Sequence, residues 1–254
     1  MELSGGAVLV TGAGSGIGAA TALAVASAGA AVAVNDLDAD AAAQTVRRIE
    51  QAGGRAHVVA GDVATVDGAR TVVDAAVGAM GALTGLVNNV GLVRGGTLAM
   101  VTAEDWDFVM RVDCGSALYC AQAARPHLGP GSAIVNVSSL CGLYPAPGAG
   151  SYNAAKAAVI SLTQQMALEW GGAGIRANAI APGVVSGTNF SASSRDPEVA
   201  RRRGAVIPLG RTGRAEDIAA VAVFLLSPKA GYITGQVLVV DGGLSVALQT
   251  FLPA

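Results

Sequence analysis

Short apolar runs alternate with longer Ala-rich stretches along the whole chain. Seven runs read as strands, over 7–11, 31–35, 56–60, 85–88, 133–137, 176–180 and 236–240. They are Val-rich and lack the in–out alternation of a strand with one wet face. Continuous apolarity suits parallel strands covered on both sides. The stretches 17–28, 39–52, 66–80, 103–127, 152–170 and 215–226 read as helices. Strand–helix alternation predicts right-handed crossovers and an α/β fold, a doubly wound, Rossmann-type parallel sheet of about seven strands. No linker, repeat or low-complexity run divides residues 1–254, so a single domain is expected. Residues 183–214 are the least regular segment, with Pro197, Pro208 and several Gly and Ser.

Composition narrows the class. Charged residues are 13% of 254, against about 25% in an average globular chain. Two stretches, 3–35 and 126–155, carry no formal charge. A membrane span needs about 20 consecutive apolar residues. Gly12, Gly14, Gly16, Gly18 and Gly29 interrupt the first stretch, and each costs a helix roughly 1 kcal/mol against Ala. The early charge is Glu2, not the basic start of a signal peptide. A net charge of −2 gives no long-range pull toward nucleic acid. Cys114, Cys120 and Cys141 have no zinc-type spacing and, being odd in number, no disulfide framework. His57 and His127 are the only histidines and read as structural. The expectation is a soluble cytoplasmic protein with no metal, membrane or nucleic-acid partner.

Candidate chemistry begins at the first strand. Val8-Leu9-Val10 leads into Thr11-Gly12-Ala13-Gly14-Ser15-Gly16-Ile17-Gly18, and a helix follows. Such glycines permit a tight turn and close backbone approach to a pyrophosphate, and the helix N-terminus supplies free N–H groups. No Lys-Ser/Thr pair follows Gly18, which excludes a P-loop. Asp36 ends the second strand, 18 residues beyond Gly18, close to the ~20 expected of a carboxylate that grips the adenosine ribose. A carboxylate there repels a 2′-phosphate, and no Arg or Lys lies in the loop to receive one. NAD is therefore expected over NADP.

The second neutral stretch ends at Lys156, the one formal charge between Arg125 and Glu169. Tyr152 lies four residues earlier, so on a helix the two side chains share a face. Free tyrosine has a pKa of about 10 and is a poor base at pH 7. A cation about 4 Å away contributes on the order of 4 kcal/mol at an effective dielectric near 20, which lowers that pKa by roughly 3 units.

The T-G-x-x-x-G-x-G loop resembles the short-chain dehydrogenase/reductase family. The resemblance runs through Gly61-Asp62-Val63, Asn88-Asn89-Val90-Gly91, Ser139 with Tyr152 and Lys156, Pro182-Gly183, and Ile233-Thr234-Gly235-Gln236 through Asp241-Gly242-Gly243. It implies that Gly12, Ser15, Gly16, Ile17 and Gly18 hold the cofactor phosphates, with Asp36 and Leu37 at the ribose. Asp62 and Val63 would contact the adenine, and Asn89, Val90 and Gly91 would line the groove. Pro182, Gly183, Val185 and Thr188 would stand at the nicotinamide. In the family this serine orients the substrate oxygen, the tyrosine exchanges the proton, and the lysine binds the ribose and lowers the tyrosine pKa. The spacing of 13 to Tyr152 favours Ser139 over Ser138.

Three departures follow from the resemblance. The fourth catalytic position, usually Asn, is Asp113, which loses an amide donor and can add a negative charge. Val90 replaces a customary Ala. The usual Thr position after Pro182 is Gly187, with Thr188 next to it and Ser186 as another candidate. Residues 183–214 correspond to a substrate lid, and Arg195, Arg201, Arg202, Arg203, Arg211 and Arg214 place 6 of 16 basic residues there. They read either as a solvated face or as a site for an anionic substrate. Val93, Arg94, Cys141 and Tyr144, with Leu92 and Leu143, are candidate substrate neighbours beside Ser139 and Tyr152. The family is commonly a homotetramer, with the helices at 103–127 and 152–170 packing across one interface.

The expected function is an NAD-dependent oxidoreductase that interconverts a secondary alcohol and a ketone. Alternatives are an NADP-linked 3-oxoacyl thioester reductase, a catalytically weak NAD-binding protein because of Asp113, and an epimerase using transient oxidation.

Overall fold

Val8 and Val10 pack to one side of their strand and Leu9 to the other, and the strands at the middle of the sheet are buried on both sides in this way. The structure, a computed structural model, describes residues 2–187 and 196–251. Seven strands are present: β1 (Ala7–Val10), β2 (Ala31–Val34), β3 (Arg55–Val58), β4 (Gly85–Asn88), β5 (Ala133–Val137), β6 (Arg176–Pro182) and β7 (Val237–Val240). They form one sheet in the order β3-β2-β1-β4-β5-β6-β7, and every pairing is parallel. One face packs on α1 (Gly16–Ser27), α2 (Ala39–Gln51) and α8 (Ala215–Leu226). The other packs on α3 (Val66–Met80), α5 (Ser116–Ala124) and α6 (Tyr152–Trp170). This is the doubly wound sheet expected, and no helix among the described residues is long and apolar enough to cross a membrane.

Strand order reverses between β1 and β4, so the loops after these strands diverge and leave a crevice at their carboxyl ends. Buried polar contacts fix the catalytic helix against this edge. Asn88 Nδ2 donates to Asn136 Oδ1 at 2.8 Å, and Asn136 Nδ2 donates to Thr163 Oγ1 at 2.8 Å. The chain of amides thereby ties β4 and β5 to α6. Each bond also spares a buried amide the 1–3 kcal/mol cost of standing unpaired. At the far end, Arg176 donates to the carbonyls of Leu225 and Ser227, which close the C-terminus of α8.

The helix expected over 103–127 is continuous but not regular. It comprises α4 (Ala103–Met110), a π turn (Arg111–Gly115), α5, and a single 3-10 turn (Arg125–His127). A π turn inserts one residue into the helical repeat, and the apolar period alone does not reveal it. A helix not expected from periodicity, α7 (Pro197–Gly204), lies inside the irregular segment.

Candidate active site

The glycine loop sits after β1, and each glycine meets a different steric demand. Gly12 and Gly16 have φ of +60° and +55°. A Cβ on Gly18 would stand 2.1 Å from the Gly12 carbonyl oxygen, so Gly18 packs behind the loop and does not line the cleft. Gly14 makes room for Asp36: its N–H donates to Asp36 Oδ2 at 2.8 Å, and a Cβ there would meet the same oxygen at 2.7 Å. Ser15 opens α1 without a side-chain cap, and no acidic residue occupies the first turn, so the N–H groups there face the cleft uncompensated. Asn89 braces the loop by donating from Nδ2 to the Thr11 and Gly12 carbonyls at 3.1 and 3.0 Å.

These parts border one cleft of about 880 Å³ that runs from Asp36 and Leu37, past Asp62 and Val63, to Ser139, Tyr152 and Lys156. Gly12, Ser15, Gly16 and Ile17 line it, as do Asn89, Val90, Gly91, Pro182, Gly183 and Val185. Asp62 accepts the Ala64 N–H at 2.9 Å, which orients the turn after β3. A dinucleotide fits these donors: N–H groups for a pyrophosphate and a braced carboxylate for a ribose. Thr188 and Arg195 lie outside the described residues, and Gly187 before them has φ +73°.

The catalytic candidates meet at the other end. Ser139 follows β5, and its Oγ accepts the Cys141 N–H at 3.1 Å. It shares the cleft wall with Tyr152 and pulls that phenol's pKa down. Ser138 lines the cleft as well, but its hydroxyl donates to the Lys156 carbonyl at 2.8 Å, so it is tied to the backbone of α6. Lys156 Nζ stands 5.6 Å from the centre of the Tyr152 ring and donates to the Val137 carbonyl at 3.3 Å.

Lys156 is not a lone cation. Its Nζ lies 3.1 Å from Asp113 Oδ1, and the two side chains are 3% and 0% exposed. Burial pulls the lysine down, but Asp113 and Tyr152 outweigh it and leave the ammonium raised. Burial pushes Asp113 up, against the pull of Lys156 and the Leu92 N–H. Burial likewise pushes Tyr152 above the usual phenol value; Lys156 and Ser139 pull it down, and Asp113 pushes it up again. The lowered tyrosine pKa expected from sequence is therefore not found, because the lysine charge is shared with Asp113 and the phenol is buried.

Among the substrate candidates, Leu92, Val93 and Cys141 line the cleft, while Arg94, Leu143 and Tyr144 do not. Arg94 pairs with Asp105 at 2.6 Å and stacks on Phe108 at 3.8 Å. Tyr144 is 57% exposed outside the cleft. Among the arginines of 183–214, Arg201 pairs with Glu198 and Arg211 with Asp217, and Arg203 lines the cleft. Arg111 and Phe108 line it too and were not anticipated. The π turn carries Arg111 there, and a sequence reading that assumes one regular helix does not register it.

Comparison with known proteins agrees with this geometry. The family model described as enoyl-(acyl carrier protein) reductase matches residues 12–245. An inactive 2-(S)-hydroxypropyl-CoM dehydrogenase of Xanthobacter autotrophicus is 43% identical over 66% of this chain and 75% of its own. A 3-oxoacyl-[acyl-carrier-protein] reductase of Thermotoga maritima is 39% identical over 71% of this chain and 73% of its own. A gluconate 5-dehydrogenase of Burkholderia cenocepacia, solved with NADP and tartrate, superposes with a TM-score of 0.89. It is 34% identical, over 96% of this chain and 97% of that one. With its parallel seven-stranded sheet, glycine loop and Ser–Tyr–Lys cluster, the chain belongs to the short-chain dehydrogenase/reductase family of NAD(P)-dependent oxidoreductases acting on CH–OH groups.

Proposed function

We propose that the protein is an NAD-dependent oxidoreductase that interconverts a secondary alcohol and a ketone. The observation carrying this reading is the grouping of Ser139, Tyr152 and Lys156 on the wall of a cleft whose other end is lined by Asp36. The bound nicotinamide supplies the acceptor or donor of the hydride. Ser139 and Tyr152 hold the substrate oxygen, and Tyr152 exchanges the proton with it. Lys156 binds the nicotinamide ribose and faces the tyrosine. Leu92, Val93 and Cys141 give the substrate end a mostly apolar wall. Residues 183–214 act as the lid, and the assembly is a homotetramer.

Asp36 supports NAD, since its carboxylate is fixed by the Gly14 and Asp38 N–H groups at the place where a 2′-phosphate would arrive. The competing reading is an NADP-linked 3-oxoacyl thioester reductase, which the Thermotoga relative favours. A panel of alcohols, ketones and 3-oxoacyl thioesters with NAD(H) and NADP(H), followed at the nicotinamide absorbance, separates the two. In the same assay Tyr152→Phe should bind NAD as the parent does and lose about 10²–10⁴-fold in kcat, the scale of a general acid–base group. Near-parental turnover in that variant rules out the proton role.

A further inference from the structure

Asp113 stands where the family resemblance expects a neutral amide, and its direct contacts are all with donors. Oδ1 lies 3.1 Å from Lys156 Nζ, and the Leu92 N–H donates to both carboxylate oxygens, at 3.3 and 3.1 Å. All these partners are donors, so both oxygens serve as acceptors, the pattern of an ionised carboxylate. The backbone leaves room for this pair: a Cβ on Gly91 would stand 2.6 Å from Lys156 Nζ and 2.7 Å from Asp113 Oδ1. The π turn between α4 and α5 brings the carboxylate toward α6 at this point.

The consequence falls on Tyr152. A solitary ammonium beside a phenol stabilises the phenolate, but a carboxylate in contact with that ammonium removes most of its net field. The other groups facing the cluster are Ser139 and Cys141 after β5 and Cys114 in the π turn. None of them adds a second cation.

We propose that Asp113 is a positioning residue that offsets the Lys156 charge and keeps Tyr152 a protonated hydroxyl through neutral pH. The site is thereby set to give a proton to a carbonyl at neutral pH, and alcohol oxidation rises only in the alkaline range. In reduction the Tyr152 O–H bond breaks toward the carbonyl oxygen as hydride arrives at its carbon. In oxidation a phenolate takes the hydroxyl proton as hydride leaves, so that direction requires pH near or above the tyrosine midpoint. The inference rests on the proton role proposed for Tyr152. Burial and Asp113 both push Tyr152 up, in the direction required.

Asp113→Asn tests it, since an amide oxygen still accepts the Leu92 N–H. The tyrosinate ultraviolet difference is titrated without cofactor, each protein being read against its own Tyr152→Phe counterpart. The Tyr152 midpoint should lie above about 10 in the parent and fall by about one pH unit or more in Asp113→Asn. The pH profile of alcohol oxidation should move down by the same amount, making oxidation about tenfold faster at neutral pH. A midpoint that stays or rises overturns the proposal. Should the Asn variant not fold, Asp113→Ser removes the charge with a smaller side chain, and the same shift is required. Absence of turnover in the parent would defeat the oxidoreductase reading, while the spectral titration would still decide the role of Asp113.

Discussion

Asp36 reaches from the end of β2 to the glycine loop, where Gly14 and Asp38 donate to it at 2.8 and 3.1 Å. A carboxylate so fixed cannot swing away from an incoming 2′-phosphate, and two like charges at contact distance cost on the order of 1–4 kcal/mol at a surface dielectric. Asp36→Ala should therefore raise the ratio of kcat/KM with NADP to that with NAD by about tenfold or more. Steady-state kinetics with both cofactors checks this, and an unchanged ratio would remove Asp36 as the selecting residue. Single residues of this kind are legible in the sequence because their chemistry depends on spacing: Asp36 after a strand, and Tyr152 and Lys156 one helical turn apart. The contact between Asp113 and Lys156 is not legible, because 43 positions separate them. Only the fold brings them to 3.1 Å. The lowered Tyr152 pKa is expected from Lys156 alone; burial and Asp113, which the family resemblance puts at the fourth catalytic position, push it up instead.

At the scale of elements, the inner strands and most of the helices are legible because a parallel strand buried on both faces leaves an unbroken apolar run. The helices at 66–80, 152–170 and 215–226 match α3, α6 and α8 end to end. α7 is missed because its period is hidden by three arginines, although Asp196 and Pro197 form an ordinary helix start: Asp196 accepts the Glu198 N–H at 2.9 Å. The helix places its arginines differently. Arg201 is turned to Glu198 at 2.8 Å and outward, whereas Arg203 lines the cleft. An anionic substrate would meet Arg203, where a hydrogen bond to a charged group contributes about 1.5–3 kcal/mol. Arg203→Ala should raise KM for a carboxylated or thioester substrate about tenfold or more and leave KM for a neutral ketone within about twofold. Arg201→Ala should leave both unchanged. Equal effects on charged and neutral substrates would assign Arg203 to the lid's shape and not to charge recognition.

At the scale of the whole molecule, α6 connects the catalytic edge to the proposed subunit interface. Tyr152 and Lys156 lie buried at its start, while Ala154, Ala157, Ser161 and Leu168 are exposed, Leu168 at 85%. The outward face also carries Gln164, Gln165 and Glu169, but its small residues and uncovered leucine let a second helix approach, and a two-fold contact uses the same patch from both subunits. Burying Leu168 contributes about 1.5–3 kcal/mol per copy, and a carboxylate placed there loses that and adds a desolvation cost. Leu168→Glu should therefore raise the subunit dissociation constant by about tenfold or more for each copy buried. Light scattering should register a smaller particle than the parent gives at the same protein concentration. Melting should become more concentration-dependent, because dissociation then competes with unfolding. Dissociation frees the helix that carries Tyr152 and Lys156 from its partner, so kcat should fall with the mass and recover as protein concentration rises. A variant that stays tetrameric would place the interface away from α6. One that dissociates with full activity would show that the edge of a single sheet suffices to hold the site.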